Sequence, residues 1–213
     1  MKPLGTTAYA ILGLIAVQEG SAYELVQRMD SNYRFFWPRA QSHFYAEAKA
    51  LVGRRLAAAA NEATGKRPRT VYRITDAGRE ALAAWLQTPA AAPAAEIEGL
   101  LRVAYADFGT KEQLLAQVRA IGGHARAVLE VGDAIARAYA QGAVELPKRA
   151  HTAHLLWQFL RLQHEAHVRW AEWAEGEVAA WTSTRPGRAA LDQAKKFFAE
   201  AARQASRGRP ARA

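Results

Sequence analysis

The stretch TGKRPRTVYRIT, Thr64 to Thr75, decides how the rest of this chain is read. Lys66, Arg67 and Arg69 crowd into its first half, where Gly65 and Pro68 mark a turn. Val71, Tyr72 and Ile74 follow, and their branched and aromatic side chains suit a strand from Thr70 to Ile74. Just upstream, Leu56 to Ala63 reads as a partner strand, although its run of alanines favours helix. Two strands joined by a cationic turn make a hairpin, in surroundings that otherwise carry helical periodicity.

Working outward, Ala8, Ile11, Leu12 and Ile15 recur at helical spacing within Leu4 to Gln18, and Glu19-Gly20 stops that helix. Ser21 and Glu24 have the spacing of a capping box and start a second, short helix ending near Met29. Ser31 to Pro38 is an aromatic loop containing Tyr33, Phe35, Phe36 and Trp37. A third helix runs from about Gln41 to Arg54, with Phe44, Ala48, Leu51 and Val52 facing inward. Its opposite face offers Gln41, Ser42, His43, Tyr45 and Lys49. After the hairpin, Thr75 caps a fourth helix reaching Gln87. Three helices followed by a hairpin with a basic tip are the winged form of helix-turn-helix, whose third helix enters the major groove. Lys66, Arg67 and Arg69 then stand where phosphates would be. Gln41 can pair bidentately with adenine, while Ser42, His43 and Lys49 reach base edges or phosphates, with Tyr45 on the same face.

Charge fits that reading. The 213 residues carry a net +9, divided as +5 over residues 1–88, −2 over 89–182 and +6 over 183–213. A basic head and tail suit a polyanion, nucleic acid ahead of an anionic membrane surface. Half of the residues are hydrophobic, which excludes disorder for most of the chain. There is no cysteine, hence no disulfide framework, thiolate metal site or thiol nucleophile. The longest apolar run, Ala8 to Val17, is about half a membrane span, and no charged leader with a cleavage site is read before it. A cytoplasmic protein with no membrane partner is expected. No phosphate-cradling Gly loop, nucleophile elbow or fixed-spacing acid pair is present, so neither an enzyme nor a cofactor is expected.

TPAAAPAAE, Thr88 to Glu96, reads as a linker. It sets a winged-helix domain at residues 1–88, a linker at 89–95, a helical domain at 96–182, and a basic helix and tail at 183–213. Ile97, Leu101, Ala104 and Phe108 share one face. Thr110 and Gln113 form a second capping box. Leu114, Val118, Ile121, Ala125, Val128, Gly132, Ile135 and Tyr139 then alternate three and four apart, a heptad seam weakened in the middle by Gly122-Gly123. A last long helix, about Ala150 to Trp181, carries Leu155, Phe159, Leu162, Ala166, Trp170, Trp173 and Trp181 along one stripe. That much apolar face asks for a partner helix, most simply from a second copy in a homodimer. An antiparallel bundle within the chain is the alternative.

Trp157, Trp170 and Trp173 are candidates for stacking a small aromatic effector at the dimer centre, with core packing as the competing reading. His151 and His154, like His164 and His167, are three apart; they read as surface residues and no metal is expected. Arg188 to Ser206 forms a basic amphipathic helix through Leu191, Ala194, Phe197 and Phe198. Arg207-Gly-Arg-Pro210 is similar to the core of an AT-hook, which inserts into narrow minor grooves, although a disordered solubilising tail is the favoured reading.

Residues 4–87 resemble the PadR family of transcriptional regulators. The resemblance rests on AILGLI, SAYELVQRM, FFW, SHFYAEAKALV, GKRPRTVYRIT and DAGREAL, in that order. Residues 96–181 are similar in layout to that family's C-terminal helical dimerisation domain. The resemblance implies a mainly α protein in which a winged helix-turn-helix domain precedes a helical dimerisation domain. It also implies a cytoplasmic homodimeric regulator, usually a repressor, released from its operator by a small molecule in some members. One departure stands out: VGRRL places Arg55 where the family usually has Gly, and Gly53 comes two residues early. Either the helix ends sooner or Arg55 takes a left-handed conformation. The function read is sequence-specific binding of a pseudo-palindromic double-stranded DNA operator by a homodimer. The alternative is an architectural DNA-binding protein without an effector.

Overall fold

The computed structural model describes residues 3–38, 41–64, 67–143, 148–185 and 187–207. The protein is mainly helical and divides into two units, Met1–Ala94 and Ala95–Ala213.

The first unit runs α1 (Thr6–Val17), β1 (Gly20–Ser21), α2 (Ala22–Tyr33), α3 (Gln41–Gly53), β2 (Ala57–Thr64), β3 (Arg67–Ile74) and α4 (Asp76–Leu86). The strands form an antiparallel sheet in the order β1-β3-β2, a winged helix. Ile11, Leu12, Leu25, Phe44 and Leu51 meet Tyr72 in its core. Tyr9 and Trp85 stack at 4.9 Å and hold α4 against α1.

Three boundaries differ from the sequence reading. Helix α2 does not end near Met29 but continues to Tyr33, because its backbone ladder runs on and Arg34 pairs with Asp30 at 3.7 Å. Tyr33 therefore belongs to the helix and not to the aromatic loop. Strand β3 begins at Arg67 rather than Thr70, since Pro68 and Arg69 lie opposite Ala63 and Glu62 in the ladder. The two-residue β1 was not anticipated; Gly20 and Ser21 pair with Tyr72 and Val71. The alanine run does form a strand, because tertiary pairing overrides helix propensity.

Arg55 takes the left-handed conformation, φ +60°. Its N–H donates to the Val52 carbonyl at 2.9 Å, and that of Leu56 donates to the Leu51 carbonyl at 3.0 Å. This is a Schellman closure with arginine where glycine is preferred. The next turn clasps it: the Thr75 hydroxyl donates to the Arg55 carbonyl (2.8 Å), and the Thr75 N–H donates to the Leu56 carbonyl (3.2 Å). Thr75 also caps α4, accepting from the Gly78 N–H at 3.1 Å. A Cβ on Gly78 would overlap the Leu56 carbonyl oxygen.

The second unit holds α5 (Glu98–Ala104), a 3-10 turn (Ala106–Phe108), α6 (Lys111–Ala140), α7 (Ala150–Ala179) and α8 (Arg188–Arg207). Leu114 and Val118 of α6 pack on Ala171, Ala174 and Val178 of α7. Helix α6 runs unbroken through Gly122-Gly123. A Cβ at Gly122 would crowd that of Ala171, and one at Gly132 would overlap the Trp157 indole, so both glycines allow close approach of the helices. Lys111 Nζ donates to the carbonyls of Ala179 and Trp181, each at 2.7 Å, closing the C-terminus of α7. The face α7 buries runs through Leu160, His164, Ala171, Ala174 and Val178. The stripe read from the sequence is divided: Leu155, Phe159, Leu162 and Trp173 are more than half exposed, whereas Trp170 and Trp181 pack against this core. Among the described residues no helix is long and apolar enough to cross a membrane.

His164 is buried in this interface, and its Nδ1 has no hydrogen-bond partner. Burial, and then the nearby His167 and His124, hold its imidazole below the ordinary histidine range.

Arg55→Gly should raise the stability of the first unit by about 0.5–1 kcal/mol by removing the left-handed penalty. Gly78→Ala should cost about 3 kcal/mol by forcing Leu56 and Thr75 apart. Urea unfolding read by circular dichroism checks both, and a neutral Gly78→Ala would refute the clasp. In the second unit the unfolded chain takes up a proton on His164 before the folded one does. Stability should therefore be complete at neutral pH and fall as pH drops below about 6.5. His164→Leu should flatten that decline in unfolding midpoints measured between pH 7.5 and 5.

Candidate nucleic-acid interface

Helix α3 sorts its residues by face. Phe44, Ala48 and Leu51 are buried, and Val52 packs beside them. Ser42, His43, Ala46, Lys49 and Ala50 are exposed, and Tyr45 is partly so, its ring edge-on to Phe44. The polar face therefore opens outward, as the spacing required. Gln41 opens α3, but its side chain lies outside the described residues. Lys66 lies outside them entirely. Arg67 starts β3 opposite Thr64, and its side chain is likewise not described. Gly208 to Pro210 of the tail also lie outside, beyond the end of α8 at Arg207.

Arg69 has carboxylate partners that the sequence reading did not name. Its Nη1 is 2.9 Å from Glu24 Oε1 and its Nη2 is 3.8 Å from Glu62 Oε2. Next along the strand face, Arg73 Nε donates to Glu19 Oε2 at 2.5 Å, and Arg73 also pairs with Glu62. Glu19 and Glu24 thus hold the hairpin to the body, while Glu62 of β2 links its two strands; the sequence reading named none of the three as a partner. The signal was present for one of them: drawn in register, Glu62 falls directly opposite Arg69. Glu24 serves two elements. Its Oε2 accepts from the Ser21 N–H at 2.7 Å in the capping box, while Oε1 holds Arg69. Its carboxyl sits below the ordinary range, first because of the Ser21 backbone hydrogen bond and then the Ser21 hydroxyl, with Arg69 and Arg28 adding to the effect.

The tryptophans do not converge within one chain. Trp157 lies on Gly132, Trp170 packs half-buried against the α6–α7 core, and Trp173 faces outward, 5.9 Å from Phe197 of α8. A groove of about 540 Å³ in the second unit is lined by Leu101, Tyr105, Phe108 and Gln117, and by none of the three. Among the described residues no group of His, Asp or Glu is arranged to hold a metal ion.

Residues 11–84 match the family model described as Transcriptional regulator PadR-like family. A probable transcriptional regulator of Mycobacterium tuberculosis, Rv1176c, is 32% identical over 82 residues. That alignment takes in 38% of this chain and 43% of the relative, so the chain spans under half the length of the curated relative it matches. Bacillus subtilis PadR in complex with operator DNA superposes with a TM-score of 0.72 at 20% identity, over 82% of this chain and 99% of that one. The same protein in complex with p-coumaric acid gives 0.65 at 19% identity, again over 82% and 99%. At these identities the structural likeness carries the fold.

Proposed function

We propose, from the match of residues 11–84 to the PadR-like family model, that the protein is a sequence-specific DNA-binding regulator, a cytoplasmic homodimeric repressor that responds to a small molecule. The observation that carries this reading is the outward polar face of α3, with Ser42, His43, Tyr45 and Lys49 exposed. Base contacts come from Ser42 and His43 on the exposed face of α3, together with Gln41 at the start of the helix. Phosphate contacts come from Lys49, Lys66, Arg67 and Arg69.

A homodimer is supported by the apolar surface that the second unit leaves open. Leu155, Phe159, Leu162 and Trp173 form an exposed stripe along α7, and Leu101 and Phe108 are exposed near α5. A second copy covers such a surface most economically, and two heads then read the halves of a pseudo-palindrome. An effector response is supported by the similarity to a protein solved with p-coumaric acid. In this chain the ligand site is assembled between copies rather than within one, since Trp157, Trp170 and Trp173 point into different surroundings here.

Binding to duplexes selected from random DNA tests the proposal. The selected pool should contain a pseudo-palindrome. Replacing Lys66, Arg67 and Arg69 by alanine should weaken binding to every duplex and lower the slope of log affinity against log salt by about 2–3. Replacing Ser42 and His43 should instead change which base is preferred in each half-site. An unenriched pool together with an unchanged slope would overturn the reading.

A further inference from the structure

The wing arginine already has occupants where a phosphate would sit. The two terminal nitrogens of Arg69 face carboxylates from two different elements, Glu24 of α2 and Glu62 of β2. A guanidinium fork of this kind engages the paired oxygens of carboxylate or phosphodiester alike. Resting on the DNA-binding reading above, we infer that Glu24 and Glu62 form an internal phosphate mimic that holds Arg69 until a duplex displaces them. They thereby set a threshold against non-specific DNA.

Geometry gives the cage its character. Glu62 is the cross-strand partner of Arg69, so the hairpin register itself delivers it. Glu24 is anchored by the Ser21 N–H and hydroxyl through Oε2, so Oε1 is offered to Arg69 from a fixed position. Arg73 shares Glu62 but is also gripped by Glu19, so opening the cage leaves Arg73 restrained while freeing Arg69. The Arg69 side chain is 41% exposed, so water and salt weaken both pairs. The cage is therefore weak enough for a phosphate to open, yet must be opened at every encounter. That requirement lowers affinity for all duplexes alike. An operator offsets it through base contacts from α3, and random DNA has no such contacts.

The test uses the full chain and a fluorescent random-sequence duplex, titrated at several salt concentrations. Glu24→Gln keeps the cap, since a glutamine oxygen accepts from Ser21 in the same box. The pair Glu24→Gln and Glu62→Gln should tighten random-duplex binding about five-fold. Arg69→Gln alone should weaken it and lower the salt slope by about 1. In the Arg69→Gln background the two carboxylate changes should have no effect beyond about 1.5-fold. The pair Glu80→Gln and Glu96→Gln, an equally large change of charge at exposed positions, should not reproduce the gain. A five-fold gain that persists without Arg69 would mean simple removal of negative charge and would overturn the cage while leaving DNA binding intact. No gain with Arg69 present overturns it as well. Absence of salt-dependent binding by the unaltered protein would overturn both the cage and the reading beneath it.

Discussion

The arrangement of the first unit depends on one close approach, that of the Leu56 carbonyl to Gly78. The turn leaving α3 and the turn entering α4 meet there, each supplying what the other lacks. Arg55 and Leu56 offer carbonyls that α3 no longer uses, and Thr75 brings a hydroxyl and an N–H to them. Only a residue without Cβ fits at position 78. Because β2 starts at one turn and β3 ends at the other, the clasp fixes both strands of the hairpin against the helix with the outward polar face. The strain at Arg55 is tolerated because the surrounding hydrogen bonds specify its conformation.

Charge on the hairpin is organised rather than merely abundant. Glu19, Glu24 and Glu62 interleave with Arg69 and Arg73; Glu19 and Glu24 tie β3 to the α1–α2 turn, and Glu62 ties β3 to β2. Such exposed pairs add little to stability, so their consequence lies in where they hold the guanidinium groups. In the second unit small residues do the positioning. Gly122, Ala171 and Gly132 let α6 and α7 approach closely and leave large apolar residues on the outside.

Local signals in the sequence were enough for most of this. Both capping boxes, the Thr75 cap, the buried face of α3 and the element order are set by spacings of three or four residues, which tertiary context does not override. Elements that depend on distant partners were not legible. Two residues of β1 carry no periodicity and become a strand only through β3. Arg67 to Arg69 looked like a turn because Pro68 suggested one, whereas pairing with β2 extended the strand. Helix α7 has two apolar stripes, and the sequence does not say which one its own chain covers. The partners of Arg69 stayed hidden for the same reason: Glu24 is 45 residues away.

The most direct test of the central claim is amide NMR of the labelled full-length protein titrated with a short unlabelled duplex at low salt. The account predicts the largest shifts at Ser42, His43, Tyr45 and Lys49 and along the ends of β2 and β3 nearest the hairpin turn, with the buried α6–α7 packing undisturbed. Shifts confined to α8, or an α3 untouched at saturation, would contradict it.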